Sequence, residues 1–256
     1  MNILLVNDDG IYSDGIWDLF NSIRDRGHEV WMVAPKFEQS AKSHSITTRD
    51  PLRIEKKQEG VWSVNGTPAD CVIVAFEHLL VELGNPPIDL VVSGINNGQN
   101  IGDDVLYSGT VAAAIEAMCF GYKSIALSIA SYHNQIYETA VHVFWKLIEN
   151  GIENMIGHRE IFNVNIPNVE IKDLKGYVVC QTGFRRYQDM LSSTVDQRNR
   201  EIFWITGSDP IFEKSSYPID AGAIKKNKVA ISPLKIDFNN YEKINSLGDW
   251  AKALSK

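Results

Sequence analysis

The sequence predicts an α/β protein: a Rossmann-like, doubly wound, mostly parallel sheet, followed by a C-terminal extension of hairpin strands, a return strand and a terminal helix. Two observations carry this expectation. Over residues 1–170, continuous apolar runs alternate with segments of 3.6-residue apolar period, as strands buried on both faces beneath helices require. Beyond Pro167 the alternation stops, so 171–256 reads as an extension within the same structural domain rather than as further βαβ units.

The elements follow in order. NILLV (2–6) is a buried strand, and Ile16, Leu19, Phe20 and Ile23 mark the inner face of a helix that Gly27 ends. EVWMVAP (29–35) is a second strand stopped by proline, after which the polar stretch 36–50 is a loop of functional length. A short strand at 61–64 leads to Thr67, an N-cap for a helix beginning at Pro68 with Asp70 in its first turn. Its inner face, Ala69, Val72, Ile73, Phe76, Leu79, Leu80 and Leu83, predicts one unbroken helical period. Strands at 88–94, 124–130 and 162–166 alternate with helices at 110–120 and 135–149. In the extension, 177–183 and 201–207 read as strands of a hairpin-like excursion, 229–234 as a strand and 240–254 as a helix.

Composition narrows the function. A net charge of −7 argues against sequence-independent binding to nucleic-acid phosphates. No run approaches the ~18 apolar residues of a membrane span, and Met1 leads straight into a strand pattern, so a cytoplasmic location is expected. Cys71, Cys119 and Cys180, odd in number and set in apolar runs, are expected to be buried thiols.

In doubly wound sheets ligands bind beyond the carboxyl ends of the strands. Three polar clusters fall there: Asn7-Asp8-Asp9-Gly10, the 36–50 loop, and SGINNGQN (93–100). Adjacent carboxylates with neutral oxygen donors suit a hard cation such as Mg²⁺ or Mn²⁺, and no paired Cys or His spacing competes for it. Asp8-Asp9 alone would equally serve as a turn and helix cap. Ser108-Gly109-Thr110 opens a helix directly after the asparagine loop, an N-terminus suited to phosphate. A cation and an anion site at one mouth point to phosphate-ester chemistry. GxxxxGK[ST], GxGxxG and GxSxG are absent. His44 is the loop histidine that can give a proton to a leaving alcohol. A receiver-type signalling module would need an aspartate ending the 88–94 strand, where Ser93, Gly94 and Asn96 stand instead, and Gly10 breaks the Asp-x-Asp of dehalogenase-type phosphatases. A non-catalytic nucleotide-binding protein is the other alternative.

Taken together, NDDGIYSDGI (7–16), VAPKFEQSAKSHSIT (33–47), NGTPADCV (65–72) and VVSGINNGQNIGDDVLYSGTVAAAIEA (91–117) resemble, in order and spacing, the conserved blocks of the SurE (survival protein E) family of metal-dependent nucleotide phosphatases. The resemblance is close over about the first 130 residues and weaker beyond, as at RRY (185–187). It implies a 5'-nucleotidase, with 3'-nucleotidase and exopolyphosphatase activity as further expectations. It implies one divalent cation per subunit, Mg²⁺ or Mn²⁺ with Co²⁺ as a third candidate, on Asp8, Asp9, Ser40 and Asn96. It places the phosphate on Ser108, Gly109 and Thr110, with His44 nearby, and the catalytic set on Asp8, Asp9, Asn96 and Ser108. Water oriented by Asp8 or Asp9 is the favoured nucleophile, with Asp8 attacking directly as the alternative. Nucleoside monophosphates are the implied substrates, and homodimers or tetramers with exchanged C-terminal segments the implied assembly. Tyr107, Phe184, Arg185, Arg186 and Tyr187 are candidates to stack on base or sugar. Ser43 and Ala117 stand where the family usually has glycine.

Overall fold

A computed structural model of the chain describes residues 1–186, 191–205, 211–212 and 215–254. β1 (Asn2–Val6), α1 (Asp14–Asp25), β2 (Glu29–Pro35), β3 (Ile54–Gln58), β4 (Val61–Val64) and α2 (Pro68–Val74) come first. α2 runs through a π turn (Ala75–Leu79) into α3 (Leu80–Glu82), and then come β5 (Leu90–Asn97), α4 (Gly109–Cys119), β6 (Ser124–Ile129), α5 (Tyr137–Glu149) and β7 (Glu160–Ile166). The extension holds β8 (Tyr177–Val179), β9 (Arg185–Arg186), β10 (Leu191–Val195), β11 (Glu201–Ile205), β12 (Ile211–Phe212), α6 (Asp220–Ile224), β13 (Val229–Lys235) and α7 (Tyr241–Ala253).

Among the described residues the main sheet has nine strands in the order β3-β4-β2-β1-β5-β6-β7-β13-β8. It is parallel except where β3 meets β4 and β13 meets β7. Successive strand residues point to opposite faces, and both faces are covered. Ile3 and Leu5 pack beneath α1 and α5 with Ile16, Phe20 and Phe144; Leu4 and Val6 pack beneath α2 and α4 with Val72 and Ala113. The predicted inner face of α1, Ile16, Leu19, Phe20 and Ile23, is fully buried, each side chain contributing about 1.5–3 kcal/mol. From β1 the chain winds one way to β2 and, later, the other way through β5 to β6, so the switch point lies between β1 and β5.

Several expected elements differ. The period of α2 does not continue unbroken: the π turn at Ala75–Leu79 adds a residue to one turn, Leu83 lies beyond the helix and exposed, and Phe76 stacks on Tyr122 at 4.1 Å between ring centroids. β5 reaches Asn97, so the first asparagines of the 93–100 cluster belong to a strand rather than a loop. The hairpin pairs Leu191–Val195 with Glu201–Ile205; only Tyr177–Val179 of 177–183 is a strand, and it lies parallel to β13. Cys71 and Cys180 are buried, but Cys119 is exposed at the end of α4. Among the described residues no helix is long and apolar enough to cross a membrane.

The extension is bound to the core by a buried carboxylate. Asp220, fully excluded from solvent, accepts N–H groups from Gly102 at 2.8 Å, Gly183 at 3.2 Å and Ala221 at 2.8 Å. Removing it strands buried donors on three segments, so Asp220→Ala is expected to lower unfolding free energy by about 3 kcal/mol, measured by urea denaturation.

Candidate active site

The site is assembled at the switch point from loops leaving β1, β2 and β5 and from the start of α4. After β1, the side chain of Asn7 closes a turn on Gly10, donating to its carbonyl at 2.9 Å and accepting its N–H at 3.2 Å. This turn projects Asp8 and Asp9. Gly10 has φ +94° and lies so close to the chain leaving β2 that a Cβ would be 3.3 Å from the Pro35 carbonyl oxygen. The Gln39 N–H donates to the Asp8 carbonyl at 2.8 Å, bringing the loop after β2 alongside.

Asp8 is buried under the start of α4. The Thr110 hydroxyl donates to its Oδ1 at 2.6 Å, and a Cβ on Gly109 would lie 2.9 Å from its Oδ2. Glycine at 109 is therefore what lets the helix start approach the carboxylate. Burial pushes the Asp8 carboxyl above the usual range, opposed by the Thr110 hydroxyl. Asp9 is pushed up to about 7, first by burial and then by the charge of Asp8, although the Asn97 N–H donates to its Oδ2 at 3.0 Å.

β5 delivers Asn96 and Asn97 through an irregularity. Its register against β6 shifts between Gly94 and Asn96, and a Cβ on Gly94 would lie 2.2 Å from the Leu127 carbonyl oxygen. Asn96 Nδ2 donates to the Gly98 carbonyl at 2.7 Å, leaving its Oδ1 for a ligand. Asn97 Oδ1 accepts from the Tyr137 hydroxyl. Asn100 anchors the loop: its N–H donates to Asn165 Oδ1 at 2.7 Å, and its carbonyl accepts from Asn163 at 2.8 Å and Asn165 at 3.0 Å.

Ser108 caps α4, its Oγ accepting the Val111 N–H at 3.0 Å, which leaves the hydroxyl proton to donate outward. Asp8, Ser40, Asn96 and Ser108 line one cavity of about 640 Å³. Asp9 follows Asp8 in the turn and faces Asn97. Ser40 Oγ donates to Glu38 Oε1 at 2.6 Å. His44 Nε2 lies 2.6 Å from Glu116 Oε2 on α4. Its neighbour Ser43 has φ +54°, a left-handed conformation that glycine takes at less cost, and is tied by its Oγ to the Leu106 carbonyl at 2.6 Å. Tyr107 lines the cavity and Phe184 is exposed; Tyr187 lies outside the described residues, as do the side chains of Arg185 and Arg186.

The pairing of Thr110 with Asp8 and the anchoring of Asn100 were not foreseen from sequence. A hydroxyl and a carboxylate separated by 102 positions leave no local pattern to read.

The donor set suits a hard divalent cation. Among the described residues no three His, Cys, Asp or Glu side chains gather as a metal cluster; a cation here would draw on Asp8 and its neighbour Asp9, which is not among the cavity-lining residues, with neutral oxygens, a donor set that Mg²⁺ and Mn²⁺ prefer. The raised pKa values of Asp8 and Asp9 mark a place where positive charge is wanting.

Fold and site define a doubly wound α/β protein with a carboxylate pair and a helix N-terminus meeting at the switch point. The chain belongs to the SurE family: the family model described as Survival protein SurE matches residues 3–189. It is 41% identical over 263 residues to the 5'-nucleotidase SurE of Carboxydothermus hydrogenoformans, covering 99% of this chain and 97% of that protein. It is 40% identical over 253 residues to the 5'-nucleotidase SurE of Mannheimia succiniciproducens, covering 99% and 100%. The crystal structure of the SurE protein from Aquifex aeolicus superposes with a TM-score of 0.84 at 33% identity over 100% of both chains.

Proposed function

We propose that the protein is a divalent-metal-dependent 5'-nucleotidase that hydrolyses nucleoside monophosphates to nucleoside and phosphate. The observation that carries this is the convergence of Asp8, Ser40, Asn96 and Ser108, from four separate segments, on one cavity. Its relatives of about 40% identity over nearly the full length are named 5'-nucleotidases. In this reading Asp8, Asp9, Ser40 and Asn96 hold one cation per subunit, Mg²⁺ or Mn²⁺ with Co²⁺ as a third candidate. Bound there, the cation supplies Lewis-acid polarisation of the phosphoryl group and charge neutralisation.

The chain's own groups do the rest. Ser108 donates its hydroxyl proton to a phosphate oxygen, and the N-terminus of α4 at Gly109 and Thr110 favours the charge that develops there. Thr110 fixes the orientation of Asp8 through its 2.6 Å hydrogen bond. Asp8 or Asp9 orients the attacking water, with direct attack by Asp8 as the alternative. His44 is placed to serve the leaving alcohol only if its bond to Glu116 opens. A receiver-type module is disfavoured because β5 carries no aspartate at its end.

Residues 1–170 and 171–256 are read as one structural domain, supported by β13 pairing with β7 inside the main sheet. Self-association into a dimer or tetramer is supported by the apolar residues that the extension leaves in solvent, Leu191, Phe203 and Trp204 on the hairpin and Ile244, Leu247 and Trp250 on α7. A cytoplasmic location completes the reading.

The test is phosphate release by purified protein from purine and pyrimidine nucleoside 5'- and 3'-monophosphates with Mg²⁺, Mn²⁺ or Co²⁺. Metal-dependent release, abolished by chelation, is expected; no release from any nucleotide with any of the three metals rejects the function.

A further inference from the structure

The cavity that holds Asp8, Asn96 and Ser108 extends well past them. At about 640 Å³ it lies within the range of pockets for whole small molecules, and a phosphate fills only a small part of it. The remaining wall carries Tyr107, Tyr132 and Ile205.

Tyr107 is 60% exposed and Tyr132 68% exposed. A single tyrosine in solvent needs no explanation. Two on the wall of one cavity, beside a phosphate-binding helix start, are a different case. Each has a contact that places it. The ring of Tyr132 lies against the backbone of Gly98, where a Cβ would fall 2.3 Å from Tyr132 Cε1; glycine there makes room for the ring. Tyr107 is pinned through its backbone, its N–H donating to the Asp104 carbonyl at 2.9 Å and its carbonyl accepting from the Ser43 N–H at 2.9 Å. The Tyr132 ring, backed by Gly98, has less conformational freedom to lose on binding, whereas Tyr107 is fixed at its backbone only. Ile205, from the hairpin, adds an apolar contact to the same wall.

We propose that Tyr132 and Tyr107 form a slot that stacks the nucleobase of the substrate, with purines held more tightly than pyrimidines because they offer the larger ring face. This rests on the nucleotidase reading and names the residues that select the leaving nucleoside. Stacking on a base is tolerant of its hydrogen-bonding edge, so adenine and guanine should be accepted alike.

The test compares AMP with ribose 5-phosphate, which has the same phosphate ester and no base, in wild type, Tyr132→Ala and Tyr132→Phe. For Tyr132→Ala, kcat/KM for AMP is expected to fall about tenfold, carried by KM, while that for ribose 5-phosphate changes less than about twofold. Tyr132→Phe, which keeps the ring, is expected to restore AMP turnover. Adenosine should inhibit ribose 5-phosphate hydrolysis by wild type and about fivefold less well in Tyr132→Ala. Equal losses on both esters, or no loss on AMP, overturn the slot, as does a wild type that hydrolyses AMP no better than ribose 5-phosphate. Should wild type release phosphate from no ester, the proposed function falls instead. Calorimetric titration of AMP with Mn²⁺ then decides the slot separately: tighter binding by wild type than by Tyr132→Ala upholds it, and equal affinities overturn it.

Discussion

Asp8→Asn is expected to lower kcat/KM for a nucleoside monophosphate by about a thousandfold or more at saturating Mn²⁺. Asp8 lines the cavity, and its Oδ1 is already engaged by Thr110, so one oxygen remains to meet a cation. The amide halves the charge of the carboxylate pair at the point where positive charge must be held. Thr110→Val should be milder, about 10–100-fold, because it removes only the group that orients Asp8. Steady-state phosphate release measures both, and a Thr110→Val enzyme as inactive as Asp8→Asn would show that Thr110 contacts the reacting phosphate itself.

The second large effect concerns the metal-free protein. Asp9 is pushed up to about 7 from 3.8, and Asp8 is also raised, so the folded state binds protons that the unfolded chain releases. A carboxyl raised in this way contributes stability that is fully present below about pH 4 and is lost as pH rises toward 7. For Asp9 alone the loss is roughly 4 kcal/mol. Asp9→Asn keeps an acceptor for the Asn97 N–H without the charge. In the presence of a chelator, Asp9→Asn is therefore expected to melt above wild type at pH 8, the gap closing as pH falls to 4. Excess Mn²⁺ should narrow the gap, since binding at about 100 times Kd adds about 2.7 kcal/mol to the wild type. Thermal melts with and without metal across this pH range decide it; a gap that does not vary with pH would assign the strain to something other than ionisation.

What was legible in the sequence depended on distance along the chain. The α1 face and the Thr67 cap of α2 are local patterns, and the structure shows them: the Thr67 hydroxyl accepts the Asp70 N–H at 3.1 Å. β3 was missed because IEKKQ is polar and almost wholly exposed, as an edge strand can be without alternation. β10, with LSSTV exposed throughout, was missed for the same reason, so β11 was assigned the wrong partner. In the site, the clusters after β1 and β5 were readable because doubly wound sheets bring such ends together. Hidden from view were the long-range polar contacts, Asn100 with Asn165 across 65 positions and His44 with Glu116 across 72. Tyr132, next to no motif, carried no signal at all.

The Asn100 anchor sets one wall of the cavity apart from the other, and the two are expected to open on different timescales. One wall, residues 97–102, is bonded to side chains standing on β7 in the middle of the sheet, so its amides should exchange with deuterium only when the core itself opens. The other, carrying Ser40, is mostly exposed, contains two non-glycine residues at positive φ, Ala41 and Ser43, and is held by a few surface contacts. Its amides should exchange orders of magnitude faster. In the proposed function, substrate would enter past the labile wall while the rigid one keeps Asn96 and the helix start in register.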